Sequence, residues 1–128
     1  MTGKYHRPHK WNWFLSKPAY MLFMIRELTA VFIGAYLILL LIMLAKLGGG
    51  EAMFSEWLVA LRSPLWMGLH FIALVASLWH SITWFNLTPR AMPFFIGEKR
   101  LADSLVATAM GYGPWLVISL VILWGVMR

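Results

Sequence analysis

The chain has 128 residues, of which 61% are hydrophobic and only 12% charged, and none is cysteine. Water-soluble domains carry about a quarter charged residues, so this composition excludes an ordinary globular domain and points to lipid as the solvent. The lack of cysteine excludes disulfides, thiolate metal sites and cysteine-ligated iron–sulfur clusters within the chain, and the formal charge of +6 is distributed as in a membrane protein rather than a nucleic-acid binder.

The first 17 residues, MTGKYHRPHKWNWFLSK, are basic and carry Trp11, Trp13 and Phe14. Aromatic rings anchor membrane proteins at headgroup level, so this segment is expected at the cytoplasmic interface or against a cytoplasmic partner. A cleaved signal peptide fits poorly, because the apolar core that follows is too long and AKLGGGEA is a poor cleavage site.

Three stretches contain no Asp, Glu, Lys or Arg: 28–45, 63–89 and 104–127. Each approaches or exceeds the roughly 20 residues a helix needs to cross a hydrocarbon core about 30 Å thick. Runs such as AYLILLLIML do not alternate in polarity, which excludes a small barrel. The fold class is therefore an all-α membrane protein with three transmembrane helices, forming one multi-pass anchor domain over 1–128.

Helix I is expected over about 18–46, opening on Pro18 and broken by LGGGE. EAMFSEWLVAL then suits a short interfacial helix. Helix II is expected over about 64–88, opening on Pro64 and ended by the two prolines of TPRAMPFF. A short polar loop leads to helix III, about 103–127, with Asp103 or Ser104 as its cap and Pro114 as a site for a kink. Basic residues gather before helix I and in the loop Arg90, Lys99, Arg100, so the N-terminus is expected in the cytoplasm and the C-terminus in the periplasm.

Ionisable groups at membrane depth are costly and usually face protein or a water-filled cavity. Here they are Arg26 and Glu27 near the start of helix I, and His70 and His80 in helix II. At a rise of about 1.5 Å per residue, Glu27 lies about 13 Å from Pro18 and His80 roughly 24 Å from Pro64, comparable depths on the cytoplasmic side of helices running in opposite directions. Trp84 shares a face with His80, and the small Ala30 shares one with Glu27. Converging, a carboxylate, an imidazole, an indole and a guanidinium suit a flat, mostly apolar ligand bearing two oxygens. Taken singly, Arg26–Glu27 also reads as a snorkelling neutral pair, His80 as an interhelical hydrogen bond and Trp84 as a belt residue. His70, in the outer third of helix II, fits an interhelical hydrogen bond, an outer quinone or water site, or a haem ligand shared with a histidine of another chain.

YMLFMIRELTAV and LWHSITWFNLTPRA resemble the C subunit of the bacterial fumarate reductases built of four subunits, a three-span membrane anchor of similar length. The likeness covers nearly the whole chain. It implies partnership with a second membrane anchor, the D subunit, and with an iron–sulfur protein, the B subunit, and a flavoprotein, the A subunit, on the cytoplasmic face of the bacterial inner membrane. It also implies that FAD and iron–sulfur clusters reside only in those partners, and that menaquinol is oxidised near that face during anaerobic respiration. The chain by itself would then not act on fumarate. By motif position, Glu27 matches the family's proton acceptor, and Arg26, Ala30, His80 and Trp84 match quinone-pocket positions. Haem b is not expected, although His70 stands where the haem-free members carry a different polar residue. The rivals are an anchor of succinate dehydrogenase, a cytochrome subunit carrying haem b with His70 or His80 as axial ligand, a purely structural assembly protein and, least favoured, a small transporter.

Overall fold

A computed structural model describes residues 10–128. Lys4, Arg7 and the rest of the first nine residues, with their share of the basic segment, lie outside it. The described chain is mostly helical, and three helices are long and apolar enough to cross a membrane: Pro18–Gly48, Pro64–Ala91 and Asp103–Met127. By its contacts the chain divides into two units, Met1–Ala76 and Ser77–Arg128.

In the first unit, a 3-10 turn over Trp13–Ser16 precedes α1, Pro18–Gly48. Trp13 packs edge-on against Tyr20 at 5.4 Å between ring centres, and the Lys17 ammonium lies 5.8 Å from the same tyrosine ring. Aromatic and basic groups thus gather where the helix starts, as expected of an interfacial segment. Lys17 is extended, as a residue before proline must be, and Pro18 occupies a first turn that needs no N–H from it.

Along α1 apolar side chains lie all round the axis, as in a helix solvated by lipid rather than packed on a core. The helix ends at a glycine run whose last member, Gly50, has φ of 104°, a conformation that side chains with a Cβ resist. That reversal launches α2, Glu51–Leu61, the expected short helix. Glu51 in its first turn complements the helix dipole.

The third helix, α3, spans Pro64–Ala91 and passes from the first unit into the second. Its end corrects the sequence reading. Pro89 lies inside the helix, its side chain fully buried, and the helix continues to Ala91. Proline removes only its own N–H, so the turn closes around it: the amide of Met92 donates to the Thr88 carbonyl at 2.8 Å. Polar side chains along this span bond back to its own carbonyls, Thr83 to Trp79 at 2.8 Å, Asn86 to Ile82 at 2.9 Å and Thr88 to Trp84 at 2.8 Å. Short polar groups are thereby satisfied without water.

In the second unit, a two-stranded antiparallel hairpin, β1 Phe95–Ile96 and β2 Lys99–Arg100, follows the helix. Its two-residue turn begins with Gly97 at φ of 61°, the position of a type II′ turn that favours glycine. The last span starts as α4, Asp103–Val106, passes through a π-helical stretch, Ala107–Tyr112, and continues as α5, Gly113–Met127.

Neither Asp103 nor Ser104 caps this helix: the cap position is Ala102, and Asp103 instead pairs with Arg100 at 2.8 Å. The π stretch stands where a proline kink was expected. Pro114 cannot donate to the carbonyl four residues back, and the wider register, with Gly113 N–H bonded to the Thr108 carbonyl, inserts a residue just before it.

Within this unit the second and third spans interlock. A Cβ on Gly111 would stand 2.8 Å from both Cγ and Cδ1 of Phe85, so only glycine admits this approach. The Phe85 ring meets Tyr112 at 5.1 Å and Trp115 at 6.1 Å, and the Asn86 amide donates to the Tyr112 hydroxyl at 3.0 Å.

Candidate functional site

Arg26 and Glu27 sit two and a half turns into α1, where the sequence places charge at the entrance to an apolar run. Their environments are opposite. The Arg26 side chain is 9% exposed and that of Glu27 46% exposed. A guanidinium out of water needs a counter-charge, and Glu27 supplies it: Nε and Nη2 of Arg26 both donate to Oε1 at 3.3 Å. Neighbouring residues on a helix do not face each other, so the long arginine must curl back over the helix surface to reach its partner. Phe23, three residues earlier, lies along that path, with the guanidinium carbon 4.9 Å from its ring centre. The Thr29 hydroxyl donates to the Arg26 carbonyl.

Both arginine donors converge on one oxygen. The second, Oε2, has no donor among the described residues. The result is a carboxylate held in place at one atom and available at the other, which can accept a proton or a hydrogen bond from a ligand. Ala30, exposed on the same helix, leaves its face low next to Glu27.

His80 and Trp84 belong to the second unit. Their rings are 6.2 Å apart at the centres and tilted by 53°, as i, i+4 spacing on one helix face predicts. Trp84 is 41% exposed, and its backbone carbonyl accepts from Thr88. The structure therefore joins Arg26 to Glu27 within the first unit and His80 to Trp84 within the second.

His70 stands apart from both groups. It packs edge-on to Tyr36 at 5.6 Å, and its Nδ1 is buried with no hydrogen-bond partner among the described residues. Among the described residues no cluster of His, Asp and Glu resembles a metal centre.

Residues 2–127 match the family described as the C subunit of fumarate reductase. The chain belongs to that family. It is 30% identical over 123 residues to the fumarate reductase C subunit of Mycobacterium tuberculosis, covering 96% of this chain and 97% of that one. It is 33% identical over 98 residues to that of Aliivibrio fischeri, covering 77% of each chain. Against the Vibrio cholerae protein it is 29% identical over 119 residues, 93% of each. The resemblance carried by YMLFMIRELTAV and LWHSITWFNLTPRA thus holds over most of the chain, which is a membrane anchor with three spans.

Two contributors escape a sequence reading. Phe23, which carries the arginine, is signalled only by its i, i+3 spacing to Arg26. The Asn86–Tyr112 bond joins residues 26 apart, and no local pattern announces it.

Proposed function

We propose that the chain anchors a fumarate reductase to the bacterial inner membrane, holding an iron–sulfur protein, the B subunit, and a flavoprotein, the A subunit, on the cytoplasmic face together with a second anchor, the D subunit. Menaquinol is the substrate of a site to which the chain contributes, and its electrons leave for fumarate through the partners' iron–sulfur clusters and FAD. The observation that carries this reading is the buried Arg26 holding a half-exposed Glu27 by one oxygen, in a chain of this family.

Oxidation of a quinol releases two electrons and two protons, so the site needs a base open to water. Glu27 meets that need: Oε1 stays anchored to Arg26, and Oε2 takes a proton and passes it outward. Arg26 keeps the carboxylate oriented and offsets its charge while no proton is bound. His80 and Trp84, whose rings lie 6.2 Å apart on one helix face, contribute an imidazole and an indole, groups suited to a flat ring bearing two oxygens. Ala30 leaves room beside the carboxylate. The N-terminus lies in the cytoplasm and the C-terminus in the periplasm, so that the proton released through Glu27 returns to the cytoplasm.

The test is menaquinol-dependent fumarate reduction by the assembled complex carrying Glu27→Gln, compared with reduction driven by a water-soluble artificial donor that bypasses the membrane. The expected outcome is a loss of about 10²-fold or more in the quinol reaction, the usual scale of a proton-transfer group, with bypass activity retained. Wild-type quinol turnover in this variant would refute the role of Glu27 and leave the chain a structural anchor.

A further inference from the structure

Arg26 stands roughly 12 Å along the axis from the start of α1, near enough for a long side chain to extend toward the headgroups. It does not take that course. The side chain is 9% exposed and turned to Glu27, with Nε and Nη2 both donating to Oε1 at 3.3 Å. The carboxylate alone is a weak reason for this pose. Strong charge-assisted bonds of this kind measure about 2.7–2.9 Å, and consecutive residues on a helix face apart.

Side chains on a helix lean toward its N-terminus, so the path of Arg26 runs over the residue three places earlier. That residue is Phe23, whose ring centre lies 4.9 Å from the guanidinium carbon, inside the ~6 Å reach of a cation–π contact. The attraction is largest where water is excluded, as it is at Arg26. Phe23 is 45% exposed, so its ring is not part of a packed core that needs its volume. Two poses of the arginine therefore compete. Extended to the headgroups, it leaves both carboxylate oxygens of Glu27 unheld; drawn over the ring, it anchors one and presents the other.

We propose that Phe23 is a positioning residue for quinol oxidation: its ring holds the Arg26 guanidinium beside Glu27, which keeps Oε1 anchored and Oε2 open to the substrate. Phe23 acts through Arg26 and exchanges no proton itself. The assignment rests on the proton-acceptor role proposed for Glu27 and adds the requirement that residue 23 carry an electron-rich ring. An aliphatic side chain of similar size has no quadrupole to hold the cation, so the arginine extends outward while the span stays apolar.

The test is menaquinol-dependent fumarate reduction by the assembled complex, with artificial-donor activity as the bypass control. Residue 23 is varied as Phe23→Leu, as Phe23→Trp, and as mono-, di- and trifluorinated phenylalanine introduced by stop-codon suppression. Fluorine withdraws electron density from the ring face with little change in size. The quinol-dependent kcat should fall stepwise with fluorine number and roughly tenfold in Phe23→Leu, the scale of one such contact away from water. KM for menaquinol should change little, bypass activity should persist, and Phe23→Trp, with the ring that attracts cations most, should keep turnover near wild type. The fluorinated rings are close to isosteric, so they test the proposal even if Phe23→Leu fails to assemble. A flat fluorine series, or equal loss in Phe23→Leu and Phe23→Trp, overturns it and makes the position one of volume alone. Glu27→Gln measured alongside separates the two readings: if it loses quinol turnover while the fluorine series is flat, only the role of Phe23 fails. If Glu27→Gln keeps wild-type turnover, the proposed proton acceptor fails and this proposal with it.

Discussion

Replacing Gly111 by alanine tests whether the interlock of the second and third spans holds the second unit together. The added Cβ would stand 2.8 Å from Cγ and Cδ1 of Phe85 and 3.0 Å from its Cβ, several tenths of an ångström inside ordinary contact. These atoms form the root of the phenylalanine side chain, so rotating the ring does not clear them all. The ring is also held by Tyr112 and Trp115, and fully buried Pro89 lies one turn away. The helices must separate, which strains the Asn86–Tyr112 bond of 3.0 Å. Overpacking of this kind costs about 1–3 kcal/mol, and an interhelical hydrogen bond in a membrane contributes about 0.6 kcal/mol on average, so a total near 2–3 kcal/mol is expected. The assay is the fraction of detergent-solubilised protein that stays monodisperse after heating, read by size-exclusion chromatography. Gly125→Ala is the internal control: it adds the same methyl group to the same span with nothing within 4 Å. Gly111→Ala should melt several degrees below wild type and Gly125→Ala should not. Equal melting of the two variants would refute the packing argument.

Arg26→Lys keeps the charge but loses the planar fork that places two donors on one oxygen and stacks over Phe23, so quinol-dependent turnover should fall while artificial-donor activity persists. Full quinol activity in Arg26→Lys would reduce the arginine to a counter-charge. Tyr112→Phe removes only the hydroxyl that accepts from Asn86 and should destabilise by about 0.6–1.7 kcal/mol, less than Gly111→Ala, in the same heating assay. For orientation, alkaline phosphatase fused after Arg128 should be active and a fusion within the Gly97–Glu98 turn inactive; the reverse pattern would invert the proposed topology.

Much of the architecture is local physics and is legible in the chain. Span lengths follow from uninterrupted apolar runs, and the starts at Pro18 and Pro64 follow from a ring that fits a first turn but not an interior. The break at Gly48–Gly50 and the short helix Glu51–Leu61 follow from glycine freedom and amphipathic spacing. The same locality explains the departures. Pro89 reads as a stop because proline lacks an N–H, but a buried position and the Met92–Thr88 bond carry the helix past it. Asp103 reads as a cap because its side chain can bond the first turn, but Arg100 claims that carboxylate.

The candidate site divides along the same line. Sequence by itself determined that Arg26, Glu27, His80 and Trp84 are polar groups within helices long and apolar enough to cross a membrane, because that depends only on helix rise and the length of apolar runs. Tertiary structure decided which of Arg26 and Glu27 is covered and which is presented, that Gly111 makes room for Phe85, and that Tyr112 reaches Asn86. Those outcomes depend on the volumes and directions of side chains that meet across space. One-dimensional periodicity records which face a residue shares, not what fills the space in front of it.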